Sequence, residues 1–231
     1  MGCKDLHFVR FTISAPEESI NTDGIHIGRS SGIKVLDSNI KTGDDCVSLG
    51  DGCSDITVER VTCGPGHGIS VGSLGKYEKE DPVTGVTVRN CTITGTMNGV
   101  RIKTWPDSFE GIVSNMHFED IIMNNVGNPV LIDQAYCPWN QCNAKVPSKV
   151  KISGVTFKNI KDSRELLQLQ LQCKLVCSSG FPCQGVEIAD IDLTYTRKEA
   201  AAAVSQCSNV EPKISGKMNP PACSSPVTTI P

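Results

Sequence analysis

The chain has 231 residues, of which 39% are hydrophobic and 20% are charged, and its formal net charge is -3. This length predicts one domain or two small ones, and the apolar content is sufficient for a hydrophobic core. The sequence contains neither a basic block nor a run of 18 apolar residues. It therefore predicts no nucleic-acid partner and no membrane span.

Twelve cysteines, an even number, include several that lie close together in the sequence. Such spacing predicts disulfides formed in an oxidising compartment, whereas zinc is the alternative. Zinc sites use Cys-x-x-Cys pairs or nearby histidines, and the sequence lacks both arrangements. Met1 opens onto Gly-Cys-Lys-Asp rather than an apolar leader. We expect a secreted protein in which either the export signal is missing or the chain starts partway into a longer one.

An eight-residue pattern recurs along the chain, with apolar residues at its first, third, sixth and eighth positions. Its copies begin at Leu6, Ile33, Ile56, Val86, Met116, Val155 and Val186. Because side chains alternate across a strand, each copy predicts short strands with one buried face. Second strands are predicted at residues 25–27, 47–49, 69–71, 100–102 and 130–132. A further strand is predicted where Leu167, Leu169, Leu171 and Cys173 alternate with other residues.

Strands that recur at this period without intervening amphipathic helices predict an all-β fold, a parallel β-helix whose repeats stack as coils. One alternative is a leucine-rich repeat, but its consensus is absent. Another is a β-sandwich, whose strands would recur every 8 to 12 residues or so. We expect the coils to occupy residues 1–197. Residues 198–231 contain Cys207 and Cys223, and we expect a disulfide-tied tail that covers the last coil.

Polar residues occupy equivalent positions in successive predicted coils. Two residues before the second strands stand Asp23, Asp45, His67 and Asn98. The outward positions of these strands form two rows, one of His26, Ser48, Ser70 and Arg101, the other of Gly28, Gly50, Gly72 and Lys103. Neighbours in a row are expected about 5 Å apart, the spacing of adjacent strands. Asp44 directly precedes Asp45 and belongs to the same strip.

This strip carries three carboxylates, one imidazole, one guanidinium and one ammonium. Carboxylates this close cannot all ionise comfortably, so we expect one to keep its proton near neutral pH. A protonated acid beside an ionised base is the pair that glycosidic cleavage needs. Arg101 and Lys103 are expected to face outward as exposed charges that attract an anionic substrate. Each residue alone suits a turn or a solvated surface, but their alignment favours catalysis.

Four segments resemble the motifs of polygalacturonases, glycoside hydrolase family 28, in order and in spacing. They are Asn21-Thr22-Asp23-Gly24, Gly43-Asp44-Asp45-Cys46, Gly66-His67-Gly68 and Arg101-Ile102-Lys103. The surrounding residues look most like plant pollen exopolygalacturonases. The resemblance implies a right-handed parallel β-helix that hydrolyses α-1,4-linked galacturonate in demethylated pectin, with inversion and without a metal or another cofactor. The long, charged segment 73–84 favours exo action because it could close one end of a cleft.

The resemblance also implies a role for each residue of the strip. Asp44 would protonate the leaving oxygen, while Asp23 and Asp45 would position and activate water. His67 would support the protonation state of the acid, and Arg101 and Lys103 would bind the substrate carboxylate. Carboxylates on adjacent coils would by their spacing suggest retention. We follow the family in expecting inversion, because three carboxylates can hold a water molecule between them.

The disulfides implied by the resemblance are Cys46–Cys63, Cys137–Cys142, Cys177–Cys183 and Cys207–Cys223. Four cysteines remain unassigned, namely Cys3, Cys53, Cys91 and Cys173. We interpret Cys53 and Cys91 as small buried apolar residues. Asn90-Cys91-Thr92 is a glycosylation sequon. Asn90 either bears a glycan or is a corner residue within a stacked ladder of coils.

Members of the family begin with a signal peptide and several further coils, and we expect this chain to lack both. The first copy, with Leu6, Phe8, Phe11 and Ile13, would then lack a covering coil. The expected protein is a monomer of the plant cell wall that acts on polygalacturonate. The alternatives are an endo-acting enzyme, an inactive truncated relative that binds pectin, and a structural repeat protein.

Overall fold

The structure, a computed structural model, describes residues 2–164, 173–195 and 205–223. Nineteen strands lie in these ranges, together with one 3-10 turn at Pro138–Asn140. The strands are β1 His7–Val9, β2 Thr12–Ser14, β3 Ile25–Ile27, β4 Lys34–Leu36, β5 Asn39–Lys41, β6 Val47–Leu49, β7 Ser54–Glu59, β8 Thr62–Cys63, β9 Ile69–Leu74, β10 Val83–Arg89, β11 Thr92–Thr94, β12 Asn98–Thr104, β13 Gly111–Asn124, β14 Asn128–Asp133, β15 Val150–Arg164, β16 Cys173–Val176, β17 Gln184–Tyr195, β18 Ser205–Ser208 and β19 Lys213–Asn219.

These strands pair in parallel and form two sheets that follow the coil repeat. The larger sheet runs in the order β1-β4-β7-β10-β13-β11-β8-β5-β2, with β15, β17 and β19 added beyond β13. The smaller sheet runs β18-β16-β14-β12-β9-β6-β3. One coil uses three strands in succession, for example β7, β8 and β9, before the chain reaches the next level. The predicted all-β parallel β-helix is therefore confirmed.

A tight corner lies inside each copy of the eight-residue pattern. The fifth residue of each copy has a left-handed backbone, with φ between 49° and 57°, at Arg10, Asp37, Arg60, Asn90, Asp120, Asn159 and Asp190. Asn and Asp adopt this conformation more readily than other residues with a side chain, which suits five of the seven positions. The pattern thus encodes strand, corner and strand. Asn90 is exposed at one such corner, and its glycosylation stays a prediction.

The core consists of ladders of apolar side chains that run along the helix axis. The third position of each copy is paired directly with its neighbours, through Phe8, Val35, Val58, Val88, Phe118, Phe157 and Ile188. Phe118 and Phe157 stack with ring centroids 5.1 Å apart. Burying each such side chain contributes about 1.5 to 3 kcal/mol. In the first copy, Leu6 is 41% and Phe11 47% exposed.

The coil repeat continues beyond residue 197, where only a tail was predicted. β18 pairs with β16 and β19 pairs with β17, so both sheets gain a further strand. The sequence pattern does not predict this coil, because most residues of β19 are exposed and show no apolar alternation. The alternation at Leu167, Leu169 and Leu171 lies outside the described residues, while Cys173 opens β16.

The four implied disulfides are confirmed, at Cys46–Cys63, Cys137–Cys142, Cys177–Cys183 and Cys207–Cys223. These eight cysteines are thus unavailable to zinc. Cys53, Cys91 and Cys173 are free and buried, and Cys3 is free and exposed. Burial raises the pKa of Cys91 to about 11 and that of Cys173 to about 12. Across the described ranges, no helix is both long and apolar enough to cross a membrane.

Candidate active site

The six predicted site residues lie together on the outer face of the smaller sheet. Asp23 precedes β3, Asp44 and Asp45 precede β6, and His67 precedes β9, while Arg101 and Lys103 lie within β12. The predicted outward row is confirmed, because the strand pairs place His26, Ser48, Ser70 and Arg101 side by side. Parallel stacking thus converts motifs spread over 81 residues of sequence, from 23 to 103, into one cluster.

Asp45 lies at the centre of the cluster and accepts hydrogen bonds from three side chains. Its Oδ1 accepts from Ser70 Oγ at 2.7 Å and from Arg101 Nη2 at 2.8 Å. Its Oδ2 accepts from Lys103 Nζ at 3.0 Å. The Asp45 side chain is only 2% exposed. Two cations therefore compensate a carboxylate that would be costly to bury alone.

The expectation that Arg101 and Lys103 are exposed charges is wrong. Their side chains are 8% and 9% exposed, and both end on Asp45. They do point outward from the sheet, but each lies back along it toward the earlier coils. Ser70 leaves space for this path, and its Oγ accepts a hydrogen bond from Arg101 Nε at 2.6 Å. Ion pairing with the buried carboxylate decides the direction of both side chains.

Asp44 forms a second, more accessible pair with His67. His67 Nδ1 lies 2.8 Å from Asp44 Oδ1, with side-chain exposures of 30% and 19%. The hydrogen bond from His67 holds the pKa of Asp44 below its ordinary value, against the opposing effect of burial. For Asp44 this contradicts the expectation of a proton retained near neutral pH. The reason is that the nearest group is an imidazole that stabilises the anion.

Asp23 completes the set of carboxylates, and both of its oxygens are tethered. Its Oδ1 accepts from the backbone N–H of Asp45 at 3.2 Å, and its Oδ2 accepts from Ser48 Oγ at 2.6 Å. Its side chain is 27% exposed. Asp23 and Asp44 thus reach solvent at the strip, whereas Asp45 lies beneath them.

Two glycines flank His67, and the close approach of neighbouring coils requires glycine at both positions. Gly66 and Gly68 both have positive φ, 141° and 89°. A Cβ at Gly68 would lie 2.1 Å from the carbonyl oxygen of Asn98, and one at Gly66 would lie 2.6 Å from that of Asp44. No side chain fits at these distances, so only glycine permits this close stacking of coils.

A metal ion fits this cluster poorly. Asp44, Asp45 and His67 each offer a ligand atom, and these atoms lie within 4.8 Å of one another. Both oxygens of Asp45 are already bound to Arg101 and Lys103, so a divalent cation would sit beside two positive charges. The donor set favours chemistry by the side chains themselves.

The model of the glycosyl hydrolases family 28 matches residues 1–219 of this chain. The chain belongs to glycosyl hydrolase family 28. It is 61% identical over 224 residues to the exopolygalacturonase of Oenothera organensis, with 97% of this chain and 61% of that protein covered. It is 58% identical over 221 residues to the polygalacturonase of Nicotiana tabacum, with 96% and 55% covered. The chain thus spans a little more than half the length of these relatives.

Solved structures share the fold of this family 28 chain. The exopolygalacturonase of Thermotoga maritima superposes with a TM-score of 0.69 at 19% identity, covering 94% of this chain and 48% of that one. The endopolygalacturonase I of Stereum purpureum, complexed with two galacturonate, gives a TM-score of 0.64 at 22% identity, covering 93% and 62%.

Sequence reasoning missed two aromatic residues beside the site of this family 28 chain. Lys103 Nζ lies 5.3 Å from the ring centroid of Tyr136, and Tyr136 meets Trp105 edge to face at 5.8 Å. Burial raises the pKa of Tyr136, which keeps its phenol protonated. Both residues lie in the segments that follow strands, and these segments do not repeat from coil to coil. The repeat pattern therefore does not predict them. Lys76 Nζ in turn lies 4.9 Å from the Trp105 ring.

Proposed function

We propose that this chain hydrolyses α-1,4-galacturonosidic bonds of demethylated pectin, with inversion and from one end of the polymer. The observation that carries the proposal is the outward strip in which Asp23 and Asp44 reach solvent above the ion-paired Asp45. Two acids that face a common surface are what glycosidic cleavage needs. The names of the Oenothera organensis and Nicotiana tabacum relatives support the substrate.

The proposed reaction is a single displacement in which a water molecule attacks the anomeric carbon. Asp44 gives a proton to the leaving oxygen as the glycosidic bond breaks. Asp23 and Asp45 position and activate the water, and Asp23, the more exposed of the two, accepts its proton. The products are a shortened polymer and a sugar of inverted configuration. No group besides these side chains and water is required to balance the step.

Asp44 must be protonated to act as the acid, although His67 lowers its pKa in the free protein. Acidic solution favours the protonated form. Binding of an anionic substrate adds a like charge beside Asp44, which also raises its pKa. The hydrogen bond between His67 and Asp44 then provides a path by which the spent proton is replaced. We therefore propose an enzyme that works best below neutral pH.

Arg101 and Lys103 are proposed to bind the carboxylate of the substrate. A guanidinium offers five N–H donors and an ammonium three, so the bonds to Asp45 and Ser70 leave donors for a further acceptor. Because both side chains are fixed by Asp45, little conformational entropy is lost on binding. These buried cations would recognise a uronate in preference to a neutral sugar.

Exo action is proposed from the ordered segment between β9 and β10, next to the strip. The carboxylate of Glu80 accepts from the backbone N–H groups of Gly75 and Tyr77, at 2.5 and 3.0 Å. Lys76 lies against Trp105 at its base. A folded wall beside the strip would close one end of the cleft and limit cleavage to the end of the polymer. Secretion to the cell wall and a monomeric state are proposed alongside, and the four disulfides suit an oxidising compartment.

The test measures reducing ends, viscosity and product size together on polygalacturonate at several acidic pH values. We expect monomeric galacturonate to accumulate while viscosity falls slowly, and the first product seen by NMR to be the inverted anomer. A rapid fall in viscosity with oligomers of mixed length would instead mean endo action. Absence of new reducing ends at every pH would contradict the proposed function. Fully methyl-esterified pectin is the matched control, and it should not be cleaved.

A further inference from the structure

Asp23 is linked to a histidine that the proposed reaction does not use. Ser48 Oγ lies 2.6 Å from Asp23 Oδ2, and His26 Nδ1 lies 2.7 Å from the same Ser48 Oγ. The imidazole itself stays 3.9 Å from Asp23. His26 therefore reaches the carboxylate through the serine hydroxyl rather than by direct contact.

The donors and acceptors of these three groups determine the direction of both hydrogen bonds. A serine hydroxyl carries one hydrogen, and a carboxylate only accepts. The Ser48 hydroxyl therefore donates to Asp23 and must accept from His26, so the proton of a neutral His26 imidazole sits on Nδ1. Ser48 is 3% exposed and has no room to turn toward solvent. Its hydroxyl needs both partners because an unsatisfied buried polar group is costly.

The glycine row of the strip accommodates the imidazole. His26 has a side chain that is 61% exposed. A Cβ at Gly50 would lie 3.3 Å from His26 Nε2, and one at Gly28 would lie 3.6 Å from the same atom. The imidazole thus lies over these two glycines with Nδ1 toward Ser48. This placement explains why the second outward row has glycines, Gly28 and Gly50, next to His26.

We propose that His26 is a positioning residue that orients Asp23 through Ser48. The inference rests on the proposed function, in which Asp23 holds the attacking water. Both Asp23 oxygens are tethered, Oδ1 to the backbone of Asp45 and Oδ2 to Ser48, and the bond from His26 keeps the Ser48 hydroxyl aimed at Oδ2. Misplacing a reacting group by about 1 Å can cost about 100-fold in rate.

A double-mutant cycle tests whether His26 acts through Ser48. We expect His26→Ala to lower kcat about 10-fold while KM stays within about two-fold, and Ser48→Ala to lower kcat at least as much. The double variant should be no slower than Ser48→Ala, because both changes remove one effect. His26→Asn keeps an N–H donor at the position of Nδ1 and should restore most of kcat, whereas His26→Gln should not.

Two kinetic outcomes would overturn the proposal. A rise in KM with unchanged kcat for His26→Ala would mean that His26 binds substrate directly. Losses that multiply in the double variant would mean that the two residues act independently. Thermal unfolding of each variant should match the parent within a few degrees, so that a folding defect is distinguished from loss of positioning.

A second measurement does not depend on activity. Ring 15N chemical shifts of the four histidines report which nitrogen carries the proton, and His26→Asn assigns the signal of His26. We expect the Nδ1–H form in the parent and loss of that preference in Ser48→Ala. An Nε2–H form in the parent would contradict the inference. If the parent does not cleave polygalacturonate, the proposed function fails, while the 15N shifts still decide the hydrogen-bonded arrangement.

Discussion

Arg101 donates from Nη2 to Oδ1 of Asp45 at 2.8 Å, across two coils of the β-helix and beneath the surface of the candidate site. Both side chains are more than nine-tenths buried. This contact makes Asp45 and its cations a part of the fold as well as of the site. Changes here should therefore affect stability and activity together.

We predict that Arg101→Ala lowers the free energy of unfolding by about 3 to 5 kcal/mol, because it leaves Asp45 buried with one cation fewer. Urea unfolding at pH 7 measures the change. Lys76→Ala is the matched control, since it removes an exposed cation that lies on Trp105, and it should cost less than about 1 kcal/mol. Equal stability of Arg101→Ala and the parent would show that the ion pair is not formed in solution.

We predict that removing the His67 donor moves the pH profile to higher pH. The hydrogen bond from His67 is the largest cause that lowers the pKa of Asp44. In His67→Ala this pKa rises, so Asp44 stays protonated to higher pH and the alkaline limb of kcat/KM moves upward. His67→Asn keeps a donor near Asp44 and should move the limb less. A limb that stays in place or moves to lower pH would exclude Asp44 as the acid.

We predict that Gly68→Ala destabilises the protein far more than Gly95→Ala does. Both glycines have positive φ, but a Cβ at Gly68 would lie 2.1 Å from Asn98 O, whereas one at Gly95 has nothing within 4 Å. Gly95→Ala should cost about 1 to 2 kcal/mol from backbone strain alone. Thermal unfolding of the two variants gives the comparison. Similar losses would mean that the coils do not stack as closely as described.

We predict that one of the four free thiols reacts with a water-soluble disulfide reagent in the native protein. Cys3 is exposed, whereas Cys53, Cys91 and Cys173 are buried. Burial raises the pKa of all three buried thiols and so suppresses the reactive thiolate. All four thiols should react in denaturant without reductant. Rapid native reaction of two or more thiols would contradict the burial of these residues.

The apolar repeat of the sequence predicts most strands of the fold and places the candidate site residues on neighbouring coils. The apolar spacing sets the register, and the register brings Asp23, Asp45 and His67 to equivalent places. The repeat pattern predicts which face of the sheet a side chain lies on, but not which group the end of a long side chain contacts. That is why the burial of Arg101 on Asp45 was missed.

Features that do not repeat also escaped prediction. Tyr136 lies after β14 and has no counterpart on other coils, so no pattern points to it. β19 is largely exposed and carries little hydrophobic signal, although it pairs with β17 along the sheet. The pKa of Asp44 is lowered mainly by its hydrogen bond with His67. The sequence does not show which group lies nearest to Asp44, so this shift could not be predicted.

The most direct measurement is the rate at which the parent and Asp44→Asn release reducing ends from polygalacturonate, at the optimal pH and at equal concentrations of folded protein. Loss of a general acid typically costs about 10² to 10⁴ in rate. Glu211→Gln, an equivalent change at an exposed carboxylate between β18 and β19, is the control and should keep the parent rate. The account predicts that Asp44→Asn folds normally and loses at least about 100-fold in kcat. An Asp44→Asn rate within a few-fold of the parent would contradict it.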